Sequence, residues 1–240
     1  MHAPVPQLVP PEILLLGYRS GIFPMADSRD DPEIFWVEPR LRAILPLEHF
    51  HCSRSTAKLL RKNRFTVTCN KAFDEVVSAC AAPRPGHPES WISERIAASY
   101  RALHLDGYAH SVECWRGDWL VGGLYGVGFD GVFCGESMFS QVPNASKFAL
   151  CWLVAAMRKA GCTLLDCQFM TDHLATFGAI EIRQEEYLQL LGEAQKDGGP
   201  LAPNEHPGSA LPYGFSSLLD ATGSSSSPGK LIAHSLTQTS

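Results

Sequence analysis

The feature that most constrains the fold is a run of three apolar segments between residues 109 and 139, separated by two turn signals. Gly117 and Asp118 form one signal, and the Phe-Asp-Gly sequence at 129–131 forms the other. Tight turns between segments of β character join antiparallel neighbours. The sequence therefore predicts an antiparallel meander with strands over 109–115, 119–127 and 132–139.

A helix and a further strand follow this meander. Asn144 is suited to cap a helix from Ala145 to Ala160, whose apolar residues recur at helical spacing, and Gly161 is suited to end it. Residues 163–168 then return to an apolar strand pattern. A strand, helix and strand in succession give parallel pairing, so the expected fold class is α+β with a mixed, mainly antiparallel sheet.

Composition divides the chain into three parts. Residues 1–40 combine a proline-rich start, a predicted helix over 11–18 and short apolar segments, which indicates a small N-terminal domain. Residues 41–195 hold the predicted sheet. We expect the tail, 196–240, to be partly disordered, because a sequence rich in Gly, Pro and Ser buries too little apolar surface to offset its ordering entropy.

Charge and cysteine content exclude several classes of protein. Lys and Arg number 20 against 25 Asp and Glu, a net charge of -5, which argues against a generally basic nucleic-acid coat protein. No apolar run reaches the roughly 18 residues of a membrane span and the start does not resemble a signal peptide, so we expect a soluble, cytoplasmic protein with no membrane partner. None of the eight cysteines forms a C-x-x-C pair, so no metal site is expected.

Three polar residues in apolar strands are the candidates for chemistry. Asp166 and Gln168 lie two positions apart, so in a regular strand an acid and an amide emerge on one face. The alternative is that Asp166 bonds a neighbouring backbone group and Gln168 merely ends the strand. Glu136 lies within an apolar segment, where a carboxylate is costly to bury unless it has partners; a structural Glu bonded to backbone amides is its alternative.

A local cluster of positive charge contrasts with the acidic chain. Arg54, Lys58, Arg61, Lys62 and Arg64 place five of the 20 basic residues within eleven positions. Spacings of four and three put the first three on one face of a helix predicted from Ser53 to Arg61. A solvated helix face and a phosphate-binding surface both fit this pattern.

Taken together, these motifs resemble those of the leucyl/phenylalanyl-tRNA-protein transferases. The resemblance extends from Tyr18 to about Tyr187 in the family's order. It is carried by nine motifs: YRSGIFP (18–24), WVEPRLRAIL (36–45), HCSRS (51–55), SWI (90–92), GYAHSVE (107–113), LVGGLYG (120–126), FCGESMFS (133–140), NASK (144–147) and LDCQ (165–168).

The resemblance implies a GCN5-related N-acyltransferase-like catalytic domain after the small N-terminal domain. It implies transfer of Leu, Phe or Met from aminoacyl-tRNA to the N-terminal Lys or Arg of an acceptor protein, which marks that protein for degradation by the N-end rule. An aminoacyl ester is already activated, so the reaction asks for positioning, a base and oxyanion stabilisation. No cofactor, metal or nucleophilic cysteine is expected.

The resemblance also assigns residues. Asp166, Gln168 and Glu136 would lie at the reaction centre, with an Asp-Gln relay accepting the proton of the acceptor's α-amino group. Trp91 would form a wall for the terminal adenosine of the tRNA. The basic surface for tRNA maps onto Arg54, Lys58, Arg61 and Lys62, and the apolar donor pocket maps onto Leu124, Phe133, Met138, Leu150, Leu153, Met157 and Leu165.

Two points qualify this assignment. Strict alternation puts Phe133 and Met138 on opposite faces of a strand, so either a bulge intervenes or one of them does not line the pocket. Met25-Ala26 stands where the family often has aromatic residues. The competing interpretation, an acyl-CoA-dependent N-acetyltransferase, expects a Q/R-x-x-G-x-G/A loop before the central helix, and residues 141–146 do not contain one. A noncatalytic tRNA-binding module is the third possibility.

Overall fold

The computed structural model describes residues 8–83, 89–196, 206–222 and 227–237. In chain order the elements are α1 (Pro11–Arg19), β1 (Phe23–Met25), β2 (Phe35–Val37), β3 (Leu41–Ile44), α2 (Arg54–Arg61), β4 (Thr66–Cys69), α3 (Phe73–Ala81), α4 (Glu94–Leu105), β5 (Ala109–Arg116), β6 (Trp119–Phe129), β7 (Val132–Ser140), α5 (Ala145–Ala160), β8 (Leu164–Gln168), α6 (Asp172–Ala175), β9 (Ile180–Arg183), α7 (Gln184–Lys196), α8 (Ala210–Thr222) and α9 (Pro228–Thr237).

Seven strands form one sheet in the order β4-β5-β6-β7-β8-β3-β9. β7 and β8 pair in parallel, and the other neighbours are antiparallel. The predicted meander is β5-β6-β7, and its two turns place Gly117 at φ +59° and Asp130 at φ +51°. The predicted α+β class with a mixed, mainly antiparallel sheet is therefore confirmed.

Helices cover both faces of this sheet. α5 is buried along most of its length and packs with α2, α8 and α9 on one face, whereas α3 and α4 lie on the other. Gly161 ends α5 in the left-handed region, as predicted. The predicted cap at Asn144 is wrong: this residue has φ +73° and its side chain makes no capping bond. Instead, Ser140 Oγ accepts from the backbone N–H of Ser146 at 3.3 Å.

The small N-terminal unit consists of α1 and the β1–β2 pair. Tyr18 and Phe23 are fully buried and share a core cluster with residues of α3, α4 and the sheet. Arg19 of α1 forms an ion pair of 2.5 Å with Asp130 in the turn between β6 and β7. These contacts fix the N-terminal unit against the large sheet.

The C-terminal tail contains two helices that the sequence analysis did not predict. Within 206–222 and 227–237, α8 packs on α5 and α9 packs on α2. Gly214 lets α8 approach closely, since a Cβ there would overlap the carbonyl oxygen of Ala156. The Gly, Pro and Ser content is an average over the whole tail, so it did not indicate the two short amphipathic segments. Residues 197–205, 223–226 and 238–240 lie outside the described residues.

None of the described helices combines the length and the apolar character needed to cross a lipid bilayer.

Candidate active site

A cavity of about 790 Å³ opens where the ends of β7 and β8 meet the start of α5. Met25 and Trp91 form part of one wall, and Glu136 and Gln168 contribute polar groups. Six of the predicted pocket residues line this cavity: Trp91, Leu124, Met138, Leu150, Leu153 and Leu165. The lining is mainly apolar and suits an aliphatic or aromatic side chain.

Two predicted pocket residues do not line the cavity among the described residues. Phe133 is 1% exposed, and its ring packs against Gly126 and Gly128 inside the sheet. Met157 is fully buried in α5, one turn beyond Leu153. Both belong to the hydrophobic core rather than to the lining of this cavity.

A β-bulge in β7 places Glu136. Tyr125 pairs with Ser137 while the next residue, Gly126, pairs with Gly135, so Glu136 is the extra residue. A Cβ at Gly126 would overlap the carbonyl oxygen of Cys134, so glycine permits this close approach. The bulge resets the alternation, which is why Phe133 and Met138 contact the same core cluster even though only Met138 reaches the cavity.

The Glu136 carboxylate has side-chain partners rather than the backbone amides of the structural alternative. Tyr18 Oη donates to Oε1 at 2.7 Å, Tyr100 Oη donates to Oε2 at 2.8 Å, and Gln168 Nε2 donates to Oε1 at 2.9 Å. Burial raises the pKa of Glu136 to about 7, and the three donated bonds oppose this shift only in part. Glu136 is therefore a carboxyl group that changes its protonation near neutral pH.

Asp166 and Gln168 share one face of β8, as strand alternation predicted, but Asp166 does not line the cavity. It is fully buried, with an ion pair to Arg42: Nε to Oδ1 at 2.8 Å and Nη2 to Oδ2 at 2.5 Å. Tyr187 Oη donates to Oδ2 at 3.0 Å, and the backbone N–H of Gln168 donates to Oδ1 at 2.8 Å. Four donors occupy the acceptor sites of the carboxylate, and one of them is a backbone N–H, as the structural alternative described.

Gln168 is the last residue of β8, and its backbone departs from strand geometry. Its φ is +63°, in the left-handed region that costs a non-glycine residue on the order of 1 kcal/mol or more. The bond from its N–H to Asp166 holds this conformation, and the side-chain amide thereby reaches Glu136 and the cavity. Asp166 thus contacts the backbone of Gln168 and holds it in place.

Arg42 is the main residue that the sequence analysis missed. Its guanidinium is fully buried, lies over the rings of Phe23 and Tyr187 at 4.7 and 4.4 Å, and donates to the carbonyl oxygen of Gly21 at 3.1 Å. A charge inside the apolar segment 41–45 was a usable signal, the same one that singled out Glu136. No comparable sequence signal pointed to the three tyrosines of the site, because their hydrogen-bond partners are distant in sequence. These are Tyr18, Tyr100 and Tyr187.

The predicted basic surface is exposed on α2. Ser53 caps this helix, accepting from the N–H of Thr56 at 3.2 Å, as the sequence suggested. Ala57 and Leu60 face the core and α9. The outward face carries the four predicted cations, Arg54, Lys58, Arg61 and Lys62.

The apolar cavity, which ends at a buried acid and an amide, has the kind of groups that an acyl-transfer enzyme uses. The family described as Leucyl/phenylalanyl-tRNA protein transferase matches residues 44–192, and the N-terminal domain of the same family matches residues 9–40. This chain belongs to the leucyl/phenylalanyl-tRNA protein transferase family.

Individual relatives agree with the family match. A leucyl/phenylalanyl-tRNA--protein transferase of Novosphingobium aromaticivorans is 57% identical over 98% of both chains. Proteins of the same name from Zymomonas mobilis and Rhizorhabdus wittichii are each 55% identical over 78% of this chain, covering 70% and 75% of their own lengths. The similarity therefore extends across both parts of the fold.

Proposed function

We propose that this chain transfers a leucyl, phenylalanyl or methionyl group from its tRNA to the α-amino group of an acceptor protein that begins with Lys or Arg. The observation that carries the proposal is an apolar cavity that ends at the hydrogen-bonded Glu136–Gln168 pair. The new peptide bond would mark the acceptor for N-end rule degradation, in the cytoplasm, where aminoacyl-tRNA is made.

The reaction replaces an ester bond with an amide bond. The neutral α-amine attacks the ester carbonyl carbon, the bond to the tRNA 3′ oxygen breaks, and that oxygen leaves as a hydroxyl. Because the acceptor amine is largely protonated below about pH 8, it must first lose one proton to solvent, and after the attack a base must take a second proton from its nitrogen. The same group can then return the proton to the leaving oxygen.

Glu136 and Gln168 supply these functions in the proposal. A carboxyl group with a pKa near 7 is matched to proton transfer at neutral pH. Gln168 uses Nε2 to bond Glu136, so its Oε1 is the end of the amide that can accept a hydrogen bond from the attacking amine. Asp166 and Arg42 are positioning residues that hold Gln168.

Charge also supports a cationic acceptor. Among the described residues that line the cavity, Glu136 is the one carboxylate and no Lys or Arg is present. A Lys or Arg side chain at the acceptor's N-terminus would bring a compensating positive charge to this wall.

The start of α5 argues against the acyl-CoA alternative. Acyl-CoA would need free N–H groups there for its pyrophosphate, but the N–H of Ala145 bonds Val142 O and the N–H of Ser146 bonds Ser140 Oγ. The glycine-containing loop is also missing from 141–146.

The direct test is incubation of the purified protein with charged tRNA and a peptide that starts with Arg. We expect the mass of the peptide to increase by one leucyl or phenylalanyl residue, and a matched peptide with an acetylated N-terminus to stay unchanged. Addition of acetyl-CoA without tRNA should give no product. Absence of transfer to every basic N-terminus, beside an active control enzyme, would contradict the proposal.

Donor choice should depend on the cavity. Leu153→Trp introduces an indole into the lining, so transfer of Phe should fall by about tenfold or more relative to Leu, as judged by kcat/KM for each charged tRNA. Met157→Leu is the matched control on the same helix, because it is buried without lining the cavity and conserves volume. Equal effects of the two changes on donor ratio would refute the assignment.

Affinity for tRNA should depend on the α2 surface. Lys58→Glu should weaken binding and lower the slope of log affinity against log salt by about one for each lost phosphate contact. Lys159→Glu, at the far end of α5, is the control with the same charge change on an exposed residue. Titration of labelled tRNA at several salt concentrations measures both; indistinguishable slopes would remove α2 from the tRNA site.

A further inference from the structure

The tip of the β5–β6 hairpin combines exposed positive charge with an exposed aromatic ring. Trp119 is 76% exposed, and Arg116, its partner in the ladder, is also exposed. Nothing in the proposed reaction uses either residue. Trp119 therefore presents an aromatic face to solvent.

The neighbouring strand extends this patch toward α2. Phe65 leads into β4, and the guanidinium groups of Arg64 and Arg116 lie 6.0 and 5.8 Å from its ring. Lys71 Nζ lies 4.8 Å from the ring of Trp115. We call Arg64, Lys71, Arg116 and Trp119 the hairpin surface. It continues the basic residues of α2, because Lys62 and Arg61 lie two and three positions before Arg64.

The charge of the hairpin surface is not neutralised within the described residues. The three ion pairs found there involve none of its cations. Within 64–71 and 115–119, Asp118 is the one acidic residue against three cations. A chain with a net charge of -5 thus concentrates positive charge beside an exposed ring, which is the combination that binds unpaired nucleotides by phosphate contact and stacking.

The hairpin surface lies at the same end of the sheet as the cavity. Ser140, which lines the cavity, pairs with Gly122 of β6, and Trp119 is three residues from Gly122. Three residues of strand span about 10 Å. Trp119 is therefore within reach of a nucleic acid whose terminal aminoacyl group occupies the cavity.

From these observations we infer that the hairpin surface binds the single-stranded 3′ end of the aminoacyl-tRNA, with Trp119 stacked on an unpaired base and Arg116 on a phosphate. The inference rests on the proposed function and extends its tRNA site from α2 to the hairpin. It makes Trp119 a determinant of affinity for the 3′ end rather than a catalytic residue.

The test measures binding of the full chain to two uncharged tRNAs, one intact and one without its unpaired 3′ nucleotides. Trp119→Ala should raise Kd for the intact tRNA about fivefold or more and leave Kd for the shortened tRNA unchanged, while Trp119→Phe should retain most of the affinity. Arg116→Ala should lower the salt slope by about one. Leu105→Ala and Arg183→Ala are the controls, because both residues are exposed away from the hairpin.

Three results would overturn the inference: no effect of Trp119→Ala, equal effects on the two tRNAs, or an increase in KM for the acceptor peptide with unchanged Kd for tRNA. The last would assign the surface to the acceptor protein. Because binding is measured without catalysis, the outcome is separable from the proposed function. If the wild-type protein fails to transfer Leu or Phe but binds the 3′ end through Trp119, the proposed reaction is contradicted and the inference about the hairpin surface is not.

Discussion

Replacing Asp166 with asparagine should destabilise the protein by about 3–5 kcal/mol and abolish most transfer, because it leaves the Arg42 guanidinium buried without its counter-charge. Asparagine keeps only one acceptor oxygen, so the four donors to Asp166 would compete for it, and the bond from the N–H of Gln168 that holds the left-handed conformation should weaken. Urea unfolding monitored by circular dichroism measures the first effect, and kcat for transfer measures the second.

Two further variants separate charge burial from catalysis. Combining Asp166→Asn with Arg42→Met should cost less than the sum of the single changes, because neither charge is then left alone. Asp74→Asn, in the exposed Arg101–Asp74 pair, should change the free energy of unfolding by about 1 kcal/mol or less. Strict additivity of the double variant, or equal losses at Asp74 and Asp166, would contradict the role given to the buried pair.

Glu136→Gln should lower kcat by about 10²–10⁴-fold with little change in tRNA affinity, as expected for removal of a general base. The pH profile is the sharper readout. Below about pH 7, both Glu136 and the acceptor amine of the wild type are protonated, so the logarithm of the rate should rise with a slope approaching two. In the variant only the amine titrates and the slope should fall to about one. An unchanged slope would exclude Glu136 as the base.

The same substitution should stabilise the fold at high pH. Burial raises the pKa of Glu136 from 4.5 to about 7, so the native state holds this proton more tightly than the unfolded chain. The stabilisation that comes from this bound proton is fully present below pH 4.5 and is lost as the pH rises through 7. At pH 8 the loss amounts to about 3 kcal/mol. The stability advantage of Glu136→Gln should thus disappear by pH 4. An advantage that does not vary with pH would contradict the raised pKa.

Local signals explain the parts of the fold that could be predicted. The meander follows from two short turn sequences, and the end of α5 follows from Gly161, because both depend on backbone geometry over a few residues. β3 and β9 are four residues each and carry too little periodicity to be recognised. α8 and α9 become helices through packing on α5 and α2, which composition alone does not reveal.

The sequence could predict those residues of the candidate site that are charged within apolar strands. Glu136 and Asp166 are acids within apolar strands, and the same reasoning applied to Arg42 would have identified their missing neighbour. The bulge at Glu136 and the positive φ of Gln168 are not readable from alternation, which assumes a regular strand. Tyr18 and Tyr100 meet Glu136 across 118 and 36 residues of sequence, so only the fold brings them together.

The central claim is that the cavity holds the aminoacyl group with its carbonyl at Gln168 and Glu136. The most direct measurement is a crystal structure with phenylalanyl-adenosine in which an amide replaces the reactive ester. We predict the phenyl ring among Leu124, Leu150 and Leu153, and the carbonyl within hydrogen-bonding reach of the Gln168 amide. An analogue bound elsewhere, for instance in the cavity of about 660 Å³ beside Cys162 and Glu193, or with its carbonyl remote from Gln168, would contradict the account.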